Sequence, residues 1–332
     1  MKNSTFYLDS VMNKMLGSLV KKLRDTLTKY ADVAILNISS LVPEFKYYIR
    51  CAEFIGKLVD KGCVFCEAKP ISVESISDTN TSGDANENKA TSGDGNTDDA
   101  KSVVAEGFYN LKLAMKTDKT ADIVPNDLFF DEKHTVYILT GANRGGKTTI
   151  TQALGQLFVL AQGGLFVPAK CFKYVPCDSI YTHFPADEDK TMDLGRLGEE
   201  CVRFKDIYSQ ATGKSLVLLN ETYSTTSFEE GYYIARDSIK ALLMKGVRTI
   251  YNTHMHKLGE DADELTAECM GRDAAGSAKA SGFAGAASLI MKTEEGKRSF
   301  KVALAKPEGS SYAKDIAEKY GVTYDMLVAE AI

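Results

Sequence analysis

The chain has 332 residues, 44% of them hydrophobic, with 40 basic and 45 acidic side chains and a formal net charge of −5. That apolar supply fits one large or two ordinary domains and excludes a disordered polyanion, while the mildly negative balance excludes a protein that coats nucleic acid by bulk charge. No apolar run reaches about 18 residues, and Met1–Tyr7 lacks a charged-then-apolar leader, so no membrane partner is expected and the expected location is cytoplasmic.

The N-terminal part is read as a small helical module over 1–70. Val11, Met12, Met15, Leu16, Leu19, Val20, Leu23 and Leu27 fall at helical spacing, and a second helix is expected after Pro43, from Tyr47 to Val59. This stretch is basic, and its lysines read as a solvated helix surface or as a phosphate-contacting face. Residues 71–104 then carry seven acids against two bases, which is the whole net charge. With almost no large apolar side chains and a repeated Thr-Ser-Gly-Asp at 81–84 and 91–94, this tract is expected to be a disordered linker or insertion. Seven scattered cysteines do not suggest a disulfide framework; Cys63-x-x-Cys66 is the only suggestive pair, and a metal or redox role for it has weak support.

From 105 to 332, β-rich runs alternate with helical ones, which implies an α/β fold with a mainly parallel sheet covered by helices. Strands are expected at Val136–Thr140, Asp178–Phe184, Ser215–Leu219, Arg248–Thr253, Ser288–Lys292 and Phe300–Ala305. Helices are expected at 147–160, Phe228–Met244 and Tyr312–Tyr320, with a loose loop over 271–287.

Three segments carry chemistry. Gly141-Ala142-Asn143-Arg144-Gly145-Gly146-Lys147-Thr148-Thr149 fits Gly-x4-Gly-Lys-Ser/Thr between a strand and a helix. In that pattern, backbone N–H groups and the helix dipole hold phosphate, the lysine reaches the outer phosphates and the hydroxyl binds Mg²⁺. The segment therefore predicts an ATP site with Lys147 at the phosphates and Thr148 at the metal. Ser215–Leu219 is an apolar strand ending in Asn220 and Glu221, which places Asn220 and Glu221 as further metal-site groups and Glu221 as the base for an attacking water. Thr253-His254 follows a strand on the edge where α/β sheets bind ligands, and His254 is read as a γ-phosphate donor.

Taken with Ile123–Leu128, Ala161–Ala169, Thr226-Ser227 and Gly309–Ala313, these segments resemble, in order and spacing over about 105–325, the ATPase domain of the DNA mismatch-repair MutS family, a branch of the ABC-type P-loop ATPases. Residues 1–70 resemble the helical lever that precedes this ATPase. The resemblance implies Mg²⁺-dependent ATP hydrolysis, pairing with a second copy or a related subunit through nucleotide, and DNA as partner. It also implies a signature segment acting in trans, at Asp193–Glu200. There the chain departs from the family's Ser/Thr, and Arg196 reads either as a phosphate-stabilising group in trans or as a helix-start arginine paired with Glu199 or Glu200. Asn220 replaces the usual aspartate, which predicts weaker metal binding or slow turnover. Nothing resembles the family's mismatch-reading domain, its clamp or its C-terminal dimerisation segment, so recognition of a mismatch by this polypeptide alone is not expected. A nucleotide switch with little hydrolysis, or an adaptor with a vestigial loop, are the competing readings.

Overall fold

The structure, a computed structural model, describes residues 2–71, 103–117, 120–142, 144–185, 195–270, 284–294, 297–307, 318 and 320–330. In chain order the elements are α1 (Lys2–Asp60), β1 (Ala68–Pro70), β2 (Val103–Phe108), α2 (Leu111–Lys116), β3 (Asn126–Phe130), β4 (His134–Thr140), α3 (Lys147–Gln162), β5 (Cys171–Tyr174), β6 (Ile180–His183), α4 (Gly195–Gln210), β7 (Leu216–Asn220), α5 (Phe228–Lys245), β8 (Arg248–Asn252), α6 (His256–Glu260), α7 (Ala262–Met270), β9 (Gly285–Glu294), β10 (Lys297–Leu304) and α8 (Tyr324–Glu330).

The chain divides into two units, Met1–Lys57 and Leu58–Ile332. The first is helical throughout its described residues. The expected break after Pro43 does not occur: α1 is one 59-residue helix with Pro43 inside it. A proline there removes one N–H from the helical ladder, but Ser39, whose carbonyl loses that partner, is exposed to water. Met15, Leu19, Leu23 and Leu27 on this helix are exposed.

The module boundary expected at residue 70 falls instead between 57 and 58. Leu58 and Cys63 are buried, β1 pairs in parallel with β5, and the Ile71 N–H donates to the Tyr174 carbonyl at 2.8 Å. The tract expected to be disordered through 104 also ends earlier, because Val103 and Val104 open β2 and Val103 is fully buried. Its interior, 72–102, lies outside the described residues, as do 271–283 and most of the helix expected at Tyr312–Tyr320. The loose loop expected through 287 gives way at Gly285 to β9, where Ala286 and Ala287 are buried: small side chains here pack a sheet rather than mark a loop.

The second unit is a mixed α/β body. A six-stranded sheet has the order β10-β9-β4-β8-β7-β6, parallel from β9 to β6 with β10 antiparallel at one edge. A smaller mixed sheet has the order β1-β5-β2-β3. Strand side chains alternate between faces, and both faces of the larger sheet are buried, which is why its strands read as continuous apolar runs. Tyr137, Leu139, Leu216 and Leu218 join α3 and the smaller sheet in one core, where Phe158 meets Phe172 and Tyr174. Val136, Ile138, Val217 and Leu219 join α4, α5 and α7 in the other. Among the described residues no helix is long and apolar enough to cross a membrane.

Helix α5 passes close beneath the segment that follows β7. A Cβ on Gly231 would lie 2.6 Å from the Tyr223 carbonyl oxygen and 2.9 Å from Met255 Cε. Alanine is the better helix former by about 1 kcal/mol, but backbone cannot give way as a side chain can. Gly231→Ala is therefore expected to destabilise the protein by about 1–3 kcal/mol, read as a lowered midpoint in urea denaturation; an unchanged or raised midpoint would show that the contact relaxes freely.

Candidate active site

The site lies where β4, β7 and β8 end, on the carboxyl edge of the parallel sheet, the edge at which open α/β sheets present their ligand crevice. Strand β4 runs into the glycine loop. Gly141 has φ 134°, and a Cβ there would come within 2.9 Å of Met291 Cβ on β9, so only glycine fits this turn. Gly146 caps α3 without a side-chain bond, and the opening N–H groups of a helix have no intrahelical acceptors. Asn143 lies outside the described residues.

A cavity of about 430 Å³ opens over this loop. Arg144, Gly145, Gly146, Lys147, Thr148, Thr149 and Glu221 line one side; Asn110, Ile123, Val124 and Phe300 are among the residues on the rest of its wall. Asn110 also joins α2 to α3: its side-chain oxygen caps the Leu113 N–H and its amide donates to the Thr149 carbonyl at 3.0 Å. Gly141, Ala142, Asn220 and His254 do not line the cavity but bond to residues that do.

The Lys147 side chain is buried. Its Nζ donates to the Gly141 carbonyl at 2.8 Å and stands 3.7 Å from Glu221 Oε1. Burial pulls the amine below its ordinary pKa, against the opposing pull of Glu221. Glu221 Oε2 lies 2.6 Å from His254 Nδ1 and accepts the His254 backbone N–H at 3.2 Å. Burial pushes the Glu221 carboxyl up, but the His254 hydrogen bond and the Lys147 charge outweigh it and hold the group below the usual carboxylate range. Thr148 Oγ1 donates to Asn220 Oδ1 at 2.8 Å. Lys147, Glu221 and His254 thus form one connected group, and Thr148 and Asn220 form a second one beside it.

Thr148 and Glu221 present oxygen in the cavity wall, and Asn220 adds an oxygen behind Thr148. Among the described residues no group of three His, Cys, Asp or Glu side chains could hold a metal by itself. This donor set suits a hard cation that keeps water and ligand oxygens in its shell, and does not suit a softer ion that needs a full protein cage. Arg196 is exposed in the first turn of α4 and is not in the cavity wall; its charge acts on Glu200. Asp193 lies outside the described residues.

Three contributors escape a reading by motif. Asn252, at the end of β8, donates its amide to Asn220 Oδ1; both strands end in asparagine, which was the available signal. Glu200 on α4 accepts the Tyr223 N–H at 2.7 Å, fixing the segment after Glu221. His183 at the end of β6 pairs through Nδ1 with Thr222 Oγ1 at 3.1 Å. These anchors hold a strained turn, since Glu221 and Tyr223 have φ of 53° and 63°.

Comparison with known proteins agrees with this architecture. The family model described as MutS domain V matches residues 137–308, just over half of the chain, and the chain belongs to that family. A DNA mismatch repair protein MutS of Desulforamulus reducens is 36% identical over 165 residues, 48% of this chain and 19% of that protein. A DNA mismatch repair protein MutS of Oleidesulfovibrio alaskensis is 32% identical over 159 residues, 47% of this chain and 17% of that protein. An Endonuclease MutS2 of Thermus thermophilus is 30% identical over 212 residues, 64% of this chain and 26% of that protein. The chain thus matches about a quarter or less of the length of these relatives.

His183 makes the anchoring pH-sensitive. Burial, with Arg203 nearby, pushes its pKa from 6.5 down to about 4. The unfolded chain therefore binds this proton more readily than the folded one, and the stability present above pH 6.5 is lost as the pH falls toward 4. Between pH 6.5 and 4.5 the term amounts to about 2–3 kcal/mol. His183→Gln, compared with the unaltered chain by urea denaturation at both pH values, is expected to lose that much less stability; equal losses would show that His183 takes up its proton as readily in the fold as in the unfolded chain.

Proposed function

We propose that this chain is a P-loop ATPase of ABC type that binds ATP with Mg²⁺ in the 430 Å³ cavity and hydrolyses it slowly. The observation that carries this reading is the ion pair of Lys147 and Glu221 on the cavity wall, beside the Thr148–Asn220 hydrogen bond. A buried ammonium, glycine-loop backbone and a helix N-terminus favour a polyanion, and Thr148 and Asn220 would hold the cation that accompanies it. That cation would neutralise charge on the transferred phosphate.

In this reading Lys147 leaves the Gly141 carbonyl for phosphate oxygen. Glu221, ionised and freed from Lys147, takes a proton from the attacking water, and His254 holds the carboxylate in place. Asn220 supports the competing reading, a switch that binds without meaningful turnover, because an amide attracts the cation less than a carboxylate. By family membership, closure between two copies or with a related MutS-like subunit would couple nucleotide to DNA, with a role in mismatch repair as part of a larger assembly. Arg196, exposed at the start of α4, would face the nucleotide of the partner subunit.

A fluorescent ATP analogue and a phosphate-release assay separate these readings. Lys147→Ala is expected to weaken analogue binding at least about tenfold, since it removes a charge-assisted contact. Glu221→Gln should keep binding and lower hydrolysis by about 10²–10⁴-fold. Turnover indifferent to Glu221→Gln would favour the switch, and binding indifferent to Lys147→Ala would remove the nucleotide assignment.

A further inference from the structure

Asn220 and Asn252 are register partners at the ends of adjacent parallel strands, so their side chains stand together on one side of the sheet. Asn220 Oδ1 accepts two hydrogen bonds, from the Thr148 hydroxyl at 2.8 Å and from the Asn252 amide. Both asparagines are buried, Asn252 completely. The Asn252 Oδ1 has no hydrogen-bond partner among the described residues, so this side chain is placed at the expense of its own carbonyl.

An asparagine in a cation site faces a problem that an aspartate does not. A carboxylate presents oxygen whichever way it turns, whereas an amide presents oxygen in one orientation and an N–H donor in the other. Thr148 does not decide between them, because a hydroxyl donates or accepts equally well. Asn252 does decide. Its N–H₂ group faces Asn220, and a flipped Asn220 would set two donors against each other. We propose that Asn252 is a positioning residue for the cation site, holding Asn220 with its oxygen, not its nitrogen, turned toward Thr148. This rests on the ATP and Mg²⁺ reading above and adds to it the device by which an amide serves where a carboxylate is usual.

The device is useful only while residue 220 is an asparagine, and that gives the test. In the full chain, fluorescent ATP analogue binding is titrated with Mg²⁺ and measured separately in EDTA, and Mn²⁺ binding is followed by electron paramagnetic resonance. Asn252→Ala is expected to raise the Mg²⁺ half-saturation by about 10-fold or more, the usual effect of losing a partner that orients a metal ligand. Analogue binding in EDTA should stay near that of the unaltered chain, with both proteins compared at a temperature where each is fully folded, because truncating a buried hydrogen-bonded side chain lowers stability. With Asn220→Asp already present, adding Asn252→Ala should change the half-saturation by less than about twofold, because the carboxylate needs no orienting. The same shift in both backgrounds, or no shift with Asn220, would overturn the proposal while leaving the ATP reading intact. No analogue binding by the unaltered chain, with or without Mg²⁺, would overturn both.

Discussion

A lysine ammonium buried at the end of a parallel sheet is the constraint around which the second unit is arranged. An unpaired charge in that position costs several kcal/mol. The fold meets it with backbone and one carboxylate: the Gly141 and Ala142 carbonyls on one side and Glu221 on the other. The partners come from two strand ends. Gly141 follows β4 and Glu221 follows β7, so the parallel register of β4, β8 and β7 sets the geometry of the charge cluster. A slip of one residue would turn every side chain of a strand to the opposite face and would break both cores together with the site.

The same register explains why the turn after β7 is held from several directions. Glu221 and Tyr223 occupy left-handed backbone conformations, which cost of order 1–3 kcal/mol each for residues other than glycine. The compensation is local. The Glu221 N–H reaches the Asn252 carbonyl at 2.8 Å, the Tyr223 N–H reaches Glu200, Thr222 meets His183, and the Tyr251 hydroxyl donates to the Thr222 carbonyl. The strained turn aims Glu221 back at Lys147 and at the His254 ring, which a relaxed extended strand end would not do. Because Glu200 sits in the second turn of the helix that begins with Gly195 and Arg196, a displacement of that helix would be felt at the Glu221 turn.

Much of this was legible in the sequence, for a definite reason. Strands buried on both faces leave unbroken apolar runs, so Val136–Thr140, Ser215–Leu219 and Arg248–Thr253 were expected within a residue or two of β4, β7 and β8. The glycine loop was legible because its spacing is a steric requirement, as the clash at Gly141 demonstrates. The smaller sheet was not expected. Strands β1 and β5 are three and four residues long and are defined by pairing with distant partners, which no local pattern records. Pro43 does not break the helix because a proline does so only where its lost hydrogen bond and ring clash are decisive, and here the residue whose carbonyl is freed, Ser39, is exposed. Asn252, Glu200 and His183 escaped because their roles are set by what lies across the sheet, not by neighbours in the chain.

The charge balance of the site follows from the one departure at β7. Lys147 and Glu221 form a pair of opposite charges, and Asn220 and Asn252 add none. An aspartate at 220 would add a negative charge behind Thr148, beside the loop. With the amide in place, Lys147 is opposed by a single carboxylate that also has His254 as partner. Removing Lys147 toward an incoming anion therefore leaves Glu221 bonded to His254, not stranded as an unpaired buried charge. In the proposed nucleotide-bound state this lowers the electrostatic cost of admitting phosphate and shifts the burden of cation binding onto oriented dipoles, Thr148 and Asn220, instead of net charge. Oriented dipoles act only when their direction is fixed. If the proposed cation binds here, a site built this way gives up some attraction for it and depends correspondingly on the hydrogen bonds behind Thr148 and Asn220.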